Sequence, residues 1–122
     1  MLIPRPTSMT TTGGEFELTE TTAIAAENGL TGVVAWLQAA LRPPTGLPLG
    51  ESPGGAIRLV QEPTLATEAF RLTATTDGIC IEGGDASGVF YGCQALLQLL
   101  PPAVYRRGRV SGVRWVVPAV QI

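Results

Sequence analysis

The chain has 122 residues, 45% of them apolar and 15% charged, with a formal net charge of −2. That size and composition suit one domain with a single core and exclude a disordered chain, and the lack of a basic surplus removes the footprint that nucleic acid requires. Histidine is absent, which excludes Ser-His-Asp catalysis, Cys-His catalysis and histidine-ligated metal sites within these residues.

Residues 1–13, rich in proline and threonine, read as an extended lead-in. They lack the charged segment and apolar run of a signal peptide. "EFEL" (15–18) and "TTAIAA" (21–26) are short strand candidates. The period then changes: Leu30, Val34, Leu37 and Leu41 fall on one helical face, with Thr31 as the expected N-cap and Pro43-Pro44 as the expected stop. Residues 43–55 hold four prolines and four glycines, so a surface loop inside one domain is expected.

"AIRLVQ" (56–61), "EAFRLTAT" (68–75) and "GICIEG" (78–83) alternate as strands do, placing Ile57 with Leu59, Phe70 with Leu72 and Ala74, and Ile79 with Ile81. The Asp-Gly connection between the last two predicts a hairpin. A second helix follows, capped by Asp85 or Ser87, with Val89, Cys93, Leu96, Leu97 and Leu100 on one face and Pro101-Pro102 at its end. After the basic turn "YRRGR", the segment "VRWVVPAVQI" reads as a final strand, which Pro118 is expected to hold at a sheet edge. Hairpins imply antiparallel pairing, and two single-faced helices need one common surface to cover. The expected fold is α+β: an antiparallel or mixed β-sheet with two α-helices packed on one face.

The second helix carries the features that call for an explanation. Gly88 and Gly92 sit where alanine would favour the helix by roughly 1 kcal/mol each. Close approach to a neighbouring element is the reading that accounts for them. Gln94 and Gln98 lie one turn apart, suited to backbone groups at a sheet edge or on another domain. The glycines at 83, 84 and 88 match neither a dinucleotide nor a P-loop spacing, so a close strand-to-helix turn is preferred over a phosphate site.

No pair of carboxylates falls on a convincing shared face for acid-base work; Glu15 and Glu17 read as a solvated face. Cys80 and Cys93 read as buried free thiols. Trp36 and Trp115 read as isolated, without an aromatic platform for sugar or single-stranded nucleic acid. No cofactor is implied. No run of about 18 apolar residues is present to span a membrane.

"IPRP" (3–6), "EAFRLTATTDGICIEGGDASGVFYGCQALLQLLP" (68–101) and "WVVPAVQI" (115–122) together resemble the N-terminal domain of family 20 glycoside hydrolases, the β-N-acetylhexosaminidases. The family's usual "QTLLQL" appears here with Ala95 in place of threonine. The resemblance implies an α+β domain placed before a catalytic (β/α)8 barrel. In that barrel an Asp-Glu pair works with the substrate's own N-acetyl group, an exception to the two-carboxylate scheme. A substrate-binding arginine on the first barrel strand would follow Ile122. The resemblance therefore carries no catalytic residue onto this chain.

The expected reading is a single domain over 1–122, non-catalytic, whose partner is the barrel of a parent chain. Neither nucleic acid nor membrane is expected as a partner, and the isolated domain is expected to self-associate through the surface the barrel covers. The alternative is a free-standing module binding sugars, or an anion at the 83–88 turn.

Overall fold

The computed structural model describes residues 10–122. The order of elements is β1 (Thr10–Glu17), β2 (Ile24–Ala26), α1 (Thr31–Thr45), β3 (Ile57–Gln61), β4 (Phe70–Thr75), β5 (Gly78–Gly83), α2 (Ala86–Leu99), a short 3-10 turn (Pro102–Tyr105) and β6 (Val116–Gln121). The strands form one mixed sheet in the order β1-β6-β4-β5-β3-β2. β2, β3 and β5 run parallel to one another, while β5-β4, β4-β6 and β6-β1 are antiparallel. The expected α+β fold with a mixed sheet and two helices is the one observed.

Alternation along the strands builds the core. Ile24, Ile57, Ile79, Ala74 and Val120 pair side by side across five strands, and Ala26, Leu59, Ile81 and Leu72 form the next row. All of these except Ala26 are buried. Onto the rows fall Val34, Leu37 and Leu41 of α1, and Val89, Cys93 and Leu96 of α2. Each fully buried leucine or isoleucine contributes roughly 1.5–3 kcal/mol of transfer free energy. Residues of the opposite parity, Arg58, Arg71, Thr73, Cys80 and Glu82, occupy the other sheet face, where Arg71 and Glu82 form an ion pair at 3.4 Å.

Five expectations require correction. Thr31 does not cap α1: Leu30 occupies the N-cap position and no side chain bonds there. Pro43 and Pro44 do not stop the helix but lie inside its last turn. Proline's fixed φ is compatible with a helix, and the terminal carbonyls of the last turn are met by nearby donors. Thr45 Oγ1 donates to the Leu41 carbonyl at 2.6 Å, Gly46 N to Arg42 O at 2.8 Å, and Val110 N to Pro44 O at 2.9 Å. The stop falls at Gly46, whose φ of 69° closes the helix in the left-handed region.

The loop after α1 is not purely superficial. Leu49 is fully buried. Ile24 N bonds Gly50 O at 2.8 Å, and Ser52 N bonds Ile24 O at 2.9 Å, so the loop extends the sheet beyond β2. Its apolar residues were hidden among the prolines and glycines.

β6 is an interior strand, between β1 and β4. Pro118 is tolerated because the ladder to β4 begins only at Val120, and because β1 bulges between Thr11 and Glu15 where it faces Pro118. That same strand β1 starts at Thr10, within the expected lead-in. The "IPRP" motif lies outside the described residues.

Candidate functional site

Asp85 makes the turn between β5 and α2. Its Oδ1 accepts from Gly88 N at 2.8 Å, capping the helix, and from Glu68 N at 3.1 Å. Of the two N-cap candidates, Asp85 takes the role and Ser87 lies inside the helix. The carboxylate thus stands at the helix N-terminus and uses one of its amides, the position an anion would otherwise take.

The glycines of α2 face inward. A Cβ on Gly88 would overlap the Ala69 carbonyl, and one on Gly92 would overlap Ile81 Cγ2. The helix backbone therefore rests on β5 and on the segment leading into β4. Gln94 and Gln98 are on the other side, half-buried, and line a groove of about 280 Å³ with Trp36, Leu97 and Tyr105. The structure separates the four candidates into an inward pair and an outward pair.

Trp36 is not isolated. Its ring meets Phe90 of α2 edge to face, with centroids 4.8 Å apart, and Phe90 in turn lies 5.9 Å from the Tyr91 ring. The contact joins residues far apart in sequence, so no local pattern could signal it. Trp115 is buried in the core. A glutamine not singled out in the sequence, Gln38, satisfies a backbone group: its Nε2 donates to the Leu49 carbonyl at 2.9 Å.

A second, shallower cleft of about 500 Å³ lies along β2, with Glu27, Glu51 and Arg58 among its lining residues. Glu27 Oε1 is held by Gln61 N at 2.6 Å, so one of its oxygens serves the backbone. Glu15 and Glu17 share a face, as their spacing requires, and both accept from Arg114 Nη2, at 2.7 and 3.0 Å. Both thiols are free, and only Cys93 is fully buried; Cys80 is half-exposed on the open sheet face. Burial pushes the Cys93 thiol up to about 12 and raises Cys80 as well, with Glu82 adding to the latter. Both are therefore poor nucleophiles at neutral pH. Among the described residues, no three His, Cys, Asp or Glu side chains gather as a metal-binding group.

Known proteins share this arrangement. A β-hexosaminidase of Porphyromonas gingivalis is 33% identical over 129 residues, a match that takes in 99% of this chain and 16% of that protein. The family 20 β-N-acetylhexosaminidase of Streptomyces coelicolor A3(2) superposes with a TM-score of 0.91 at 33% identity, over 99% of this chain and 25% of that one. The N-acetyl-β-hexosaminidase of Streptomyces plicatus gives 0.87 at 34% identity, over 98% and 25%. The chain thus spans a quarter or less of the length of these relatives. The family description matched over residues 1–122 is "Glycosyl hydrolase family 20, domain 2", and with the fold and the relatives in agreement, the chain belongs to that family.

Proposed function

We propose that this chain is the non-catalytic N-terminal domain of a β-N-acetylhexosaminidase, a single domain over 1–122 that packs against and supports a catalytic (β/α)8 barrel. The parent enzyme would remove terminal N-acetylhexosamine from glycans or chitooligosaccharides. One observation carries the reading: nearly all of this chain superposes on one quarter of an enzyme of that activity. The core burial of Cys93 and the capped N-terminus of α2 support it, since each uses for folding a group that could otherwise act on a ligand.

The test is a fusion in which residues 1–122 replace the matching quarter of the Streptomyces coelicolor enzyme. The fusion is expected to hydrolyse an aryl N-acetyl-β-glucosaminide, and the isolated chain is not. Turnover by the isolated chain overturns the reading. So does its saturable binding of N-acetylglucosamine oligomers or phosphate, which would favour the free-standing module.

A further inference from the structure

We infer that Asn28 is a site of spontaneous chemical modification: its side-chain amide is lost through ring closure with the nitrogen of Gly29, which leaves isoaspartate and aspartate in the turn from β2 to α1.

Asn28 is the one asparagine in the sequence, and glycine follows it. Asparagine is a chemically labile residue. A glycine nitrogen has no side chain beside it to shield it, so an Asn-Gly pair closes to a five-membered ring more readily than other asparagine pairs. The turn requires that glycine, because Gly29 has a φ of +90°, where a side chain would be strained. The unshielded nitrogen comes with the fold.

The surroundings leave the reacting groups free. Asn28 and Gly29 are both exposed, between the end of β2 and the start of α1. Among the described residues, neither the Asn28 side chain nor Gly29 N has a hydrogen-bond partner. An open cleft of about 500 Å³, lined by Ala26, Glu27, Asn28 and Gln61, admits water beside them.

Water is the single co-reactant. Gly29 N bonds to Asn28 Cγ, the Cγ–Nδ2 bond breaks, and the departing nitrogen takes the glycine amide proton and leaves as ammonia. Water then opens the succinimide. Attack at Cγ gives aspartate, and attack at the backbone carbonyl carbon gives isoaspartate, with the chain continuing through the former side chain.

The Asp77-Gly78 pair can form the same ring by losing water, but the fold holds it differently. Asp77 N donates to Thr75 Oγ1 at 3.2 Å, and Gly78 is a ladder residue of β5 paired with Thr75. A Cβ on Gly78 would stand 2.5 Å from the Ala56 carbonyl oxygen, so this backbone has no room to move. Gly29 has no such restraint.

The two ends of the Asn28 turn are fixed. Glu27 N donates to the Leu59 carbonyl at 3.1 Å, and Glu27 Oε1 accepts from Gln61 N at 2.6 Å. Leu30 is fully buried, and its carbonyl accepts from Val34 N at 2.9 Å. Isoaspartate inserts one more backbone carbon between these anchors and displaces the start of α1. Aspartate changes the charge alone.

The test is incubation of the folded chain at mildly alkaline pH, with the chain unfolded in guanidinium chloride in parallel. Peptide mass spectrometry and methylation by an isoaspartyl methyltransferase locate and count the product. The folded chain is expected to gain isoaspartate at position 28 at a rate comparable with the unfolded chain, and none at position 77. Asn28→Gln, whose longer side chain closes only a slower six-membered ring, should lose the signal completely. The isoaspartate form should melt at a lower temperature than the starting chain, and Asn28→Asp should not. A folded chain that stays unmodified while the unfolded chain converts would show that the turn protects Asn28, and overturns the inference. So does isoaspartate at position 77 as fast as at 28, or a signal that persists in Asn28→Gln. An unchanged melting temperature in the isoaspartate form overturns the displacement of α1.

Discussion

Gly92 of α2 lies directly against the Ile81 side chain of β5, with no room for a Cβ between them. Ile81 is fully buried in the row that includes Leu59 and Leu72, so it has little freedom to retreat. The helix accepts a weak helix former at this position because the close approach closes the layer over the sheet.

Gly92→Leu is expected to unfold the chain or destabilise it severely. Gly88→Ala is the milder probe: its Cβ meets the Ala69 carbonyl, which is backbone and cannot rotate away. Overpacking of this kind costs about 1–3 kcal/mol and outweighs the gain in helix propensity of roughly 1 kcal/mol. Urea unfolding should show a lower midpoint at constant slope. An unchanged midpoint would show that the segment before β4 yields freely.

Gly32→Ala should have the opposite sign in the isolated chain. With open space around it and a helical backbone, alanine should stabilise by about 0.4–1 kcal/mol, chiefly by restricting the unfolded chain. The same urea titration reads it. Destabilisation would reveal a contact over α1 that the described residues do not provide.

Asp85→Ala removes an N-cap and the acceptor for Glu68 N together. The expected loss is about 1–2 kcal/mol. Asp85→Asn keeps an acceptor oxygen and should recover most of it, which circular dichroism with thermal melting can resolve. Equal losses from both variants would mean that the charge, and not the hydrogen bonds, matters.

Cys93 makes stability depend on pH at the alkaline end. Its thiol rises from 9.0 to about 12 on folding, so between these values the native state keeps a proton that the unfolded state has released. Stability is therefore complete below about pH 9 and falls as pH rises toward 12, at about 1.4 kcal/mol per pH unit for this group. Comparison with Cys93→Ala isolates the slope. In the native state at pH 8, a thiol reagent should label Cys80 slowly and Cys93 only on unfolding; equal rates would contradict the burial difference.

Periodicity made most of the fold legible. The inward parity of Ile57, Leu59, Leu72, Ala74, Ile79 and Ile81 was readable because side chains alternate along a strand, whatever the partner. The faces of α1 and α2 were readable for the equivalent reason at 3.6 residues per turn, and because capping is local the cap of α2 was narrowed to Asp85 or Ser87, of which the structure selects Asp85. The family motifs in 68–101 and 115–122 fall on β4, β5, α2 and β6, which together form the centre of the structure.

Only tertiary structure decided the rest. Pro43 and Pro44 lie in the last turn of α1, where Thr45, Gly46 and Val110 meet the carbonyls of Leu41, Arg42 and Pro44, and Val110 comes from a distant segment. Pro118 could sit in an interior strand because the β4 ladder starts only at Val120 and β1 is bulged beside it. The Trp36–Phe90 contact, the Gln38–Leu49 bond and the division of α2 into inward glycines and outward glutamines likewise depend on which elements meet. Local sequence determines which groups a segment hides and which it leaves unsatisfied, while the assembled fold determines the partners those groups find.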